Sequence, residues 1–568
     1  MLKGIPSSPG IYMGKAVVEY MKLDLAYNEI IPESEIEENI AKFVAAANEL
    51  SADYTQLIND MDTSQLNIAA ILDSNLMLVN DDVLKNDIIN YIKKGFSAES
   101  ALTFFYDQQK NFLLNTKDSI LRERAFEIDN IKERLLDIIW DRKEYFQVKP
   151  GDILVVRNIT PSELVHYQSM GIAGLITEVG GITSHCSILA RSFEIPAVVG
   201  VKDAGTLIKT GDELIISGYA GIIIVNPNEE AVSNYNLKKI IEEEHRSRLG
   251  ELRNLPSETK DGRIVKIMSN VDTTRDIDNA AKIKSDGVGL VRTESLILGL
   301  NTFPDEEYQY TAYSQFADRA YPDPITFRAF DIGSDKYTDE TNFHEENPAL
   351  GVRGIRLLLD RRDVFKTQIR AILRASANKN IKFMLPMVIN ISELKQAHEL
   401  VDECKKELKS EGLMFDNKMP IGIMVETPSA AIISDKLAKY CDFFSIGTND
   451  LTQYTLASDR NNEHLQNNYD TFHPAVLKLI KMTLDNADAA GIPVSICGEI
   501  AGHHKATKLL VGLGVKELSV SPSIQLELKK RVRNLRYKSA KTFANTILKL
   551  ESPEQVKQAI AKESNIKK

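Results

Sequence analysis

At 568 residues the chain exceeds one ordinary hydrophobic core, so two to four domains are expected. Its 69 basic and 80 acidic side chains leave a formal charge of −11, which argues against general nucleic-acid binding through a basic surface while leaving room for a local arginine pocket. No apolar run reaches membrane-spanning length, the first residues lack the apolar core of a signal peptide, and Cys186, Cys404, Cys441 and Cys497 show neither paired nor zinc-site spacing, a pattern suited to a reducing cytoplasm.

Residues 1–20 hold a Ser8-Pro9-Gly10 turn and a strand pattern around Ala16-Val17-Val18. Residues 33–148 then lack proline and carry one glycine, Gly95. Apolar residues recur there at helical spacing, as in Ile36, Ile40, Phe43 and Val44, then Phe104, Phe105, Phe112 and Leu113. An all-helical subdomain over 21–149, of three or four helices in hairpins, is expected. Pro150-Gly151-Asp152 restores strand character, and short apolar runs between glycine turns continue to Pro227. The simplest arrangement joins 1–20 and 150–227 into one α/β domain with the helical subdomain inserted. Residues 228–258 read as a charged helical linker, and 259–568 as a second α/β domain.

The first α/β domain contains Gly180-Gly181-Ile182-Thr183-Ser184-His185-Cys186-Ser187-Ile188-Leu189-Ala190-Arg191. The glycine pair permits a tight turn, and Thr183 or Ser184 can cap a helix whose first turn carries His185. A positive charge is disfavoured at a helix N-terminus, so the imidazole is held towards its neutral, nucleophilic form. The unpaired N–H groups there would welcome a phosphoryl group. His185 is therefore a candidate for transient phosphorylation, although a polar loop histidine would show the same local pattern.

Eight strands are expected in the second half, at 264–269, 286–291, 325–330, 382–387, 421–425, 442–446, 493–496 and 517–520. Helical segments separate most of them, which predicts a closed (β/α)8 barrel. Polar residues gather at the strand ends, where barrel active sites lie. Glu426 and Asp450 follow successive apolar runs and can share a Mg²⁺ ion, with substrate oxygens and water completing its shell. A loop salt bridge for Glu426 and a helix cap for Asp450 fit the same residues. Arg292, Arg328, Arg353 and Arg460 suit a small, highly anionic substrate, because a guanidinium fork pairs with phosphate or carboxylate oxygens. Cys497 could deliver a proton in a dry pocket or be a buried structural cysteine.

These motifs resemble Enzyme I of the bacterial sugar phosphotransferase system. The resemblance runs essentially end to end, through 180–191, 421–428, 442–454 and Cys497-Gly498-Glu499. It implies a swivelling phosphohistidine α/β domain with an inserted helical subdomain, followed by a C-terminal TIM barrel. His185 is then the phosphorylated residue and Cys497 the proton donor to the enolate. Glu426 and Asp450 are assigned to Mg²⁺. Arg292, Arg328, Asn449 and Arg460 are assigned to the phosphoryl group, with Asp450, Arg353 and Lys336 in the same substrate neighbourhood. The implied reaction moves phosphate from phosphoenolpyruvate to His185 and on to the phosphocarrier protein HPr, leaving pyruvate, as the first step of sugar uptake. The implied protein is a cytoplasmic homodimer joined through its barrels.

The sequence departs from that pattern in places. Ser334 replaces one glycine of a Gly-Gly pair, Ser295 replaces an aromatic residue, and Val352 stands where tryptophan is frequent. Asn75 stands where the carrier-docking subdomain often has histidine. A nitrogen-system paralogue, a pyruvate dikinase relative and an inactive regulatory protein are the alternatives. A dikinase needs a nucleotide-binding module, and residues 21–149 lack a convincing glycine-rich phosphate loop.

Overall fold

The computed structural model describes residues 1–19, 29–60, 75–114, 119–140, 148–159, 161–179, 185–193, 195–297, 303–333, 347–460, 462, 465 and 468–565. The chain divides into two compact units, Met1–Glu244 and His245–Lys568. The division falls inside a largely exposed helix, Glu229–Glu251, within the stretch expected to be a charged linker.

In the first unit the strands are β1 (Leu2–Lys3), β2 (Ile5–Ser8), β3 (Ile11–Glu19), β4 (Ile153–Val156), β5 (Gly174–Thr177), β6 (Ala197–Val199), β7 (Glu213–Ser217) and β8 (Ile222–Val225). They form a sheet in the order β1-β8-β7-β3-β4-β5-β6-β2. β3 pairs in parallel with β4, Ala16 opposite Ile153 and Val18 opposite Val155. The chain thus leaves the sheet after β3 and returns beside it at β4. Both faces of the middle strands are buried, which is why β4 and β5 read as unbroken apolar runs.

Between those neighbours lie the helices Ile36–Asp60, Asp82–Ile92, Ala98–Leu114 and Ser119–Ile139. They have a core of their own, built on Phe43, Leu50, Ile88, Leu102, Ile131 and Leu135. The apolar pattern overstated this core at three positions. Phe112 is 73% exposed, and Phe104 and Val44 are also exposed. Adjacent helical residues diverge by about 100°, so only one of each neighbouring pair can face inward. Phe105 and Leu113 take the inward direction.

In the second unit β9 (Lys266–Val271), β10 (Val288–Val291), β11 (Ile325–Arg328), β12 (Ile381–Leu385), β13 (Ile421–Val425), β14 (Phe444–Ile446), β15 (Val494–Ile496) and β16 (Glu517–Val520) close into a barrel. Every neighbouring pair is parallel, and β16 returns to β9. All eight expected strands are present, with ends shifted by up to two residues. Arg328 ends β11, while Glu426 and Cys497 directly follow β13 and β15. The topology therefore delivers these side chains to one rim.

Candidate active site

The C-terminal rim of the barrel surrounds a cavity of about 990 Å³. Arg292, Arg328, Arg353, Glu426, Asn449, Asp450, Arg460 and Cys497 all line it. Every site residue read from the barrel sequence is thus gathered there except Lys336, which lies outside the described residues.

Glu426 is completely buried. One of its oxygens, Oε1, accepts a 2.6 Å hydrogen bond from the Met387 backbone N–H. Met387 adopts φ 58°, a left-handed conformation uncommon for a residue with a side chain, and this turns its N–H onto the carboxylate. The other oxygen, Oε2, has no hydrogen-bond partner. Burial, then the negative charges of Asp331 and Asp450, push this carboxyl well above the usual carboxylate range, against the pull of Arg328 and the Met387 N–H.

Asp450 lies in the first turn of the helix Thr448–Leu456, which starts just beyond β14. Its Oδ1 has no hydrogen-bond partner and stands 3.6 Å from Arg353 Nη1, while Oδ2 is 3.9 Å from Arg460 Nη1. The neighbouring Asn449 is fixed by Glu499, whose N–H donates to Asn449 Oδ1 at 3.0 Å. Gly498 makes this approach possible, because a Cβ there would lie 1.9 Å from Thr448 Oγ1.

Two acids that the sequence reading left without a role organise the arginines. Asp331 is clasped by Arg353 through Nε–Oδ1 at 3.1 Å and Nη2–Oδ2 at 2.8 Å. Arg328 Nη1 also lies 3.3 Å from Asp331 Oδ2, and its Nη2 donates to Glu294 Oε1 at 3.1 Å. Glu294 Oε1 accepts in addition from the Asp331 N–H, at 2.6 Å. Burial works against the charge on Arg328, but Glu294, Asp331 and Glu426 outweigh it and hold the guanidinium above its ordinary value. Arg328 Nε nevertheless has no hydrogen-bond partner. At the more exposed edge, Arg292 Nη1 meets both oxygens of Asp272 at 3.2 Å. Tyr454, also unread in the sequence, accepts from Arg353 Nη1 at 3.2 Å.

Cys497 is buried with Leu290, Met384, Met424 and Phe443. Its Sγ faces the Ile446 carbonyl at 3.6 Å. Burial pushes the thiol up and keeps it protonated, with Ser445, Arg328 and Arg292 pulling the other way. A protonated thiol is the form a proton donor needs.

No group of three or more His, Cys, Asp or Glu is assembled into a metal cage among the described residues. The donors present do fit a hard divalent cation that keeps open positions. Glu426 Oε2 and Asp450 Oδ1 are buried oxygens lacking hydrogen-bond partners, and two carboxylates suffice when substrate oxygens and water supply the rest.

In the other unit, His185 is the first residue of the helix His185–Ser192. That helix is pinned by Arg191 Nη1, which donates to Ser7 O at 2.9 Å, and by Cys186 Sγ, which donates to Ile159 O at 2.7 Å. The expected turn and cap at 180–184 lie outside the described residues.

Three family models match in succession along the chain. Residues 3–124 match "PEP-utilising enzyme, N-terminal", 148–221 match "PEP-utilising enzyme, mobile domain" and 246–537 match "PEP-utilising enzyme, PEP-binding domain". A barrel rim carrying arginines and two acids suited to a metal, with these matches, defines an enzyme that uses phosphoenolpyruvate. The chain is 37% identical to the phosphoenolpyruvate-protein phosphotransferase of Haemophilus influenzae, over 99% of this chain and 98% of that protein. It is also 37% identical to the protein of the same name from Mycoplasma capricolum, over 98% of each chain. An NMR solution structure of Enzyme I (nEIt) protein is 32% identical over 43% of this chain and 100% of its own, with a TM-score of 0.35. The chain belongs to the phosphoenolpyruvate–protein phosphotransferase family.

Proposed function

We propose that this enzyme transfers the phosphoryl group of phosphoenolpyruvate to His185 and then to a histidine of the phosphocarrier protein HPr, as the first step of sugar uptake by group translocation. One observation carries the substrate reading. Arg328 Nε, Glu426 Oε2 and Asp450 Oδ1 are three buried polar atoms without hydrogen-bond partners, on residues that line one cavity. The donor calls for an anion and the two acceptors for a cation. A metal-bound phosphate ester supplies both.

In this reading Arg328, Arg292 and Arg460 hold the phosphate oxygens, with Asn449 beside them, and Arg353 and Lys336 bind in the same neighbourhood. Glu426 and Asp450 would hold Mg²⁺, which when bound neutralises charge on the transferring phosphoryl group. His185 Nε2 attacks phosphorus in line, the bond from phosphorus to the enol oxygen breaks, and enolpyruvate leaves. Cys497 Sγ–H then donates its proton to the enolate carbon, giving pyruvate, and the thiol is reprotonated from solvent. Arg328 and Arg353 are pre-positioned by Glu294 and Asp331, so little reorganisation of these two accompanies transfer.

The reading assigns 1–20 and 150–227 to the phosphohistidine domain, 21–149 to HPr docking, 228–258 to the linker and 259–568 to the barrel, through which a homodimer would form. A cytoplasmic site of action belongs to the same reading; no described helix is long and apolar enough to cross a membrane. The test is incubation with labelled phosphoenolpyruvate, Mg²⁺ and purified HPr. Acid-labile label on the enzyme and then on HPr is expected, and none with His185→Ala. Labelling of the variant at the full rate would remove His185 from the account.

A further inference from the structure

Behind the rim, a chain of buried polar side chains runs between two barrel helices and two strand ends. Gln368, on the helix Arg362–Ala375, is completely buried. Its Oε1 accepts from the Phe330 N–H at 3.1 Å. Its Nε2 donates to Thr293 Oγ1 at 3.3 Å and to Tyr313 OH at 3.1 Å. The Thr293 hydroxyl in turn donates a hydrogen bond to the Arg328 carbonyl at 2.8 Å. Tyr313 OH donates to Gln309 Oε1 at 3.1 Å, and Gln309 Nε2 donates to Pro304 O at 2.7 Å.

The order of donors in this chain leaves no freedom. Both hydroxyl protons are already committed, to Arg328 O and to Gln309 Oε1. Each hydroxyl oxygen can therefore only accept from position 368, while the Phe330 N–H requires an acceptor there. A side chain with two N–H donors and one carbonyl meets all three demands in one orientation, and glutamine is that side chain.

The two strand ends that Gln368 joins are the ones that carry the arginine cradle. Thr293 stands between Arg292 and Glu294, and Phe330 stands between Ala329 and Asp331. Glu294 and Asp331 are the two acids that orient Arg328, and Asp331 is also the acid clasped by Arg353. We infer that Gln368 is a positioning residue for phosphoenolpyruvate: by bonding Thr293 and Phe330 together it sets the spacing of Glu294 and Asp331, and through them the aim of Arg328 and Arg353. This inference rests on the reading of the rim as the phosphoenolpyruvate site. Tyr313 and Gln309 complete the satisfaction of Gln368 without a hydrogen bond to either strand end; the Tyr313 ring packs on Phe327 of β11, a contact that a phenylalanine keeps.

That asymmetry supplies the test, made on the full-length enzyme. Gln368→Met keeps the volume and removes both strand-end bonds, whereas Tyr313→Phe removes the two bonds of the Tyr313 hydroxyl, to Gln368 and to Gln309, and leaves both strand-end bonds in place. Both changes leave buried polar groups unpaired, so both should lower Tm. Only Gln368→Met should raise KM for phosphoenolpyruvate, by about tenfold, with a larger fall in kcat/KM, while Tyr313→Phe stays within about twofold of the parent. Thr293→Val should resemble Gln368→Met, and Thr293→Ser, which keeps the hydroxyl, should resemble the parent. If Gln368→Met and Tyr313→Phe changed kcat/KM alike for like losses of Tm, the network would be core packing and the inference would be overturned. Should Gln368→Met not fold, the Thr293 pair decides: equal KM values for Thr293→Val and Thr293→Ser would overturn it too. A parent enzyme that bound no phosphoenolpyruvate would instead remove the reading of the site, a separate failure.

Discussion

Gly447 lies so close to Glu426 that a Cβ added to it would stand 2.9 Å from Oε2 and 3.0 Å from the Glu426 Cβ. It would also meet Met424 Sδ at 2.9 Å. The partnerless oxygen of the candidate metal ligand is therefore walled by a residue that has no side chain. Gly447→Ala should push the carboxylate out of position while leaving its charge. We expect the rate of His185 charging to fall by about tenfold or more, since small misplacements at a reacting centre carry penalties of that order. The measurement is initial-rate labelling across a Mg²⁺ titration. Parent-like rates at limiting Mg²⁺ would show that Glu426 Oε2 is not a ligand.

Glu426 and Asp450 should separate stability from charging. Glu426→Gln can keep the Met387 N–H bond and removes a buried carboxyl whose charge is resisted by burial and by two neighbouring acids. The metal-free variant should be as stable as the parent or more so, by about 1 kcal/mol. Asp450→Asn instead deprives Arg353 and Arg460 of a counter-charge and should cost about 1 kcal/mol. Both should slow charging by about 100-fold or more. Thermal melts with and without Mg²⁺, beside the labelling assay, check both halves.

The barrel was legible because its strands are buried on both faces and appear as eight short apolar runs with polar residues at their ends. Arg328, Glu426 and Cys497 could be read by position alone, as residues at or just beyond a strand end. Glu294 and Asp331 could not, although both sit in motifs read for their arginines. Their role arises from pairing across strand ends: Glu294 meets Arg328 and Asp331, 34 and 37 positions away. No local pattern reports that register. Gln368 is harder still, since one polar residue in an amphipathic helix looks solvated until its neighbours are known. The left-handed turn at Met387 had no glycine to announce it. In the helical segment, spacing alone marked Phe104 and Phe112 as apolar without telling which face the core would claim.

Cys497 and Cys186 should differ in reactivity. Cys497 is buried among apolar side chains with its thiol pushed up, whereas Cys186 is only half-buried. The thiolate is the reactive form, so iodoacetamide at neutral pH should modify Cys186 first and leave Cys497 intact until the protein unfolds. Mass spectrometry of peptides after graded exposure reads this directly. Cys497→Ala should slow pyruvate formation by about 100-fold, within the range for loss of a general acid, while the fold persists. Unchanged pyruvate formation would reduce the thiol to packing.

Glu19 gives the first unit a pH dependence of its own. It ends β3 and accepts a 2.8 Å hydrogen bond from Tyr167 OH. Burial, then the nearby charge of Glu163, push its carboxyl up to about 7, with Asp137 adding to the rise and the Tyr167 bond and Arg134 opposing it. The folded protein therefore holds this proton more tightly than the unfolded chain does. The resulting stabilisation is complete below the ordinary carboxylate value of 4.5 and is lost as pH rises from there through about 7. Its full size is about 3 kcal/mol, since each tenfold gain in proton affinity is worth about 1.4 kcal/mol. Glu19→Gln keeps a neutral side chain at every pH and removes this dependence. The variant should lie closest to the parent near pH 5 and exceed it in stability by a growing margin up to about pH 8. Glu133, which is also pushed up by burial, and His166, which is pushed down by burial, remain common to both proteins and cancel in the difference. Denaturant unfolding of parent and variant across pH 5–8 measures that difference, and a constant offset over the whole range would show that Glu19 titrates alike in the folded and unfolded chains.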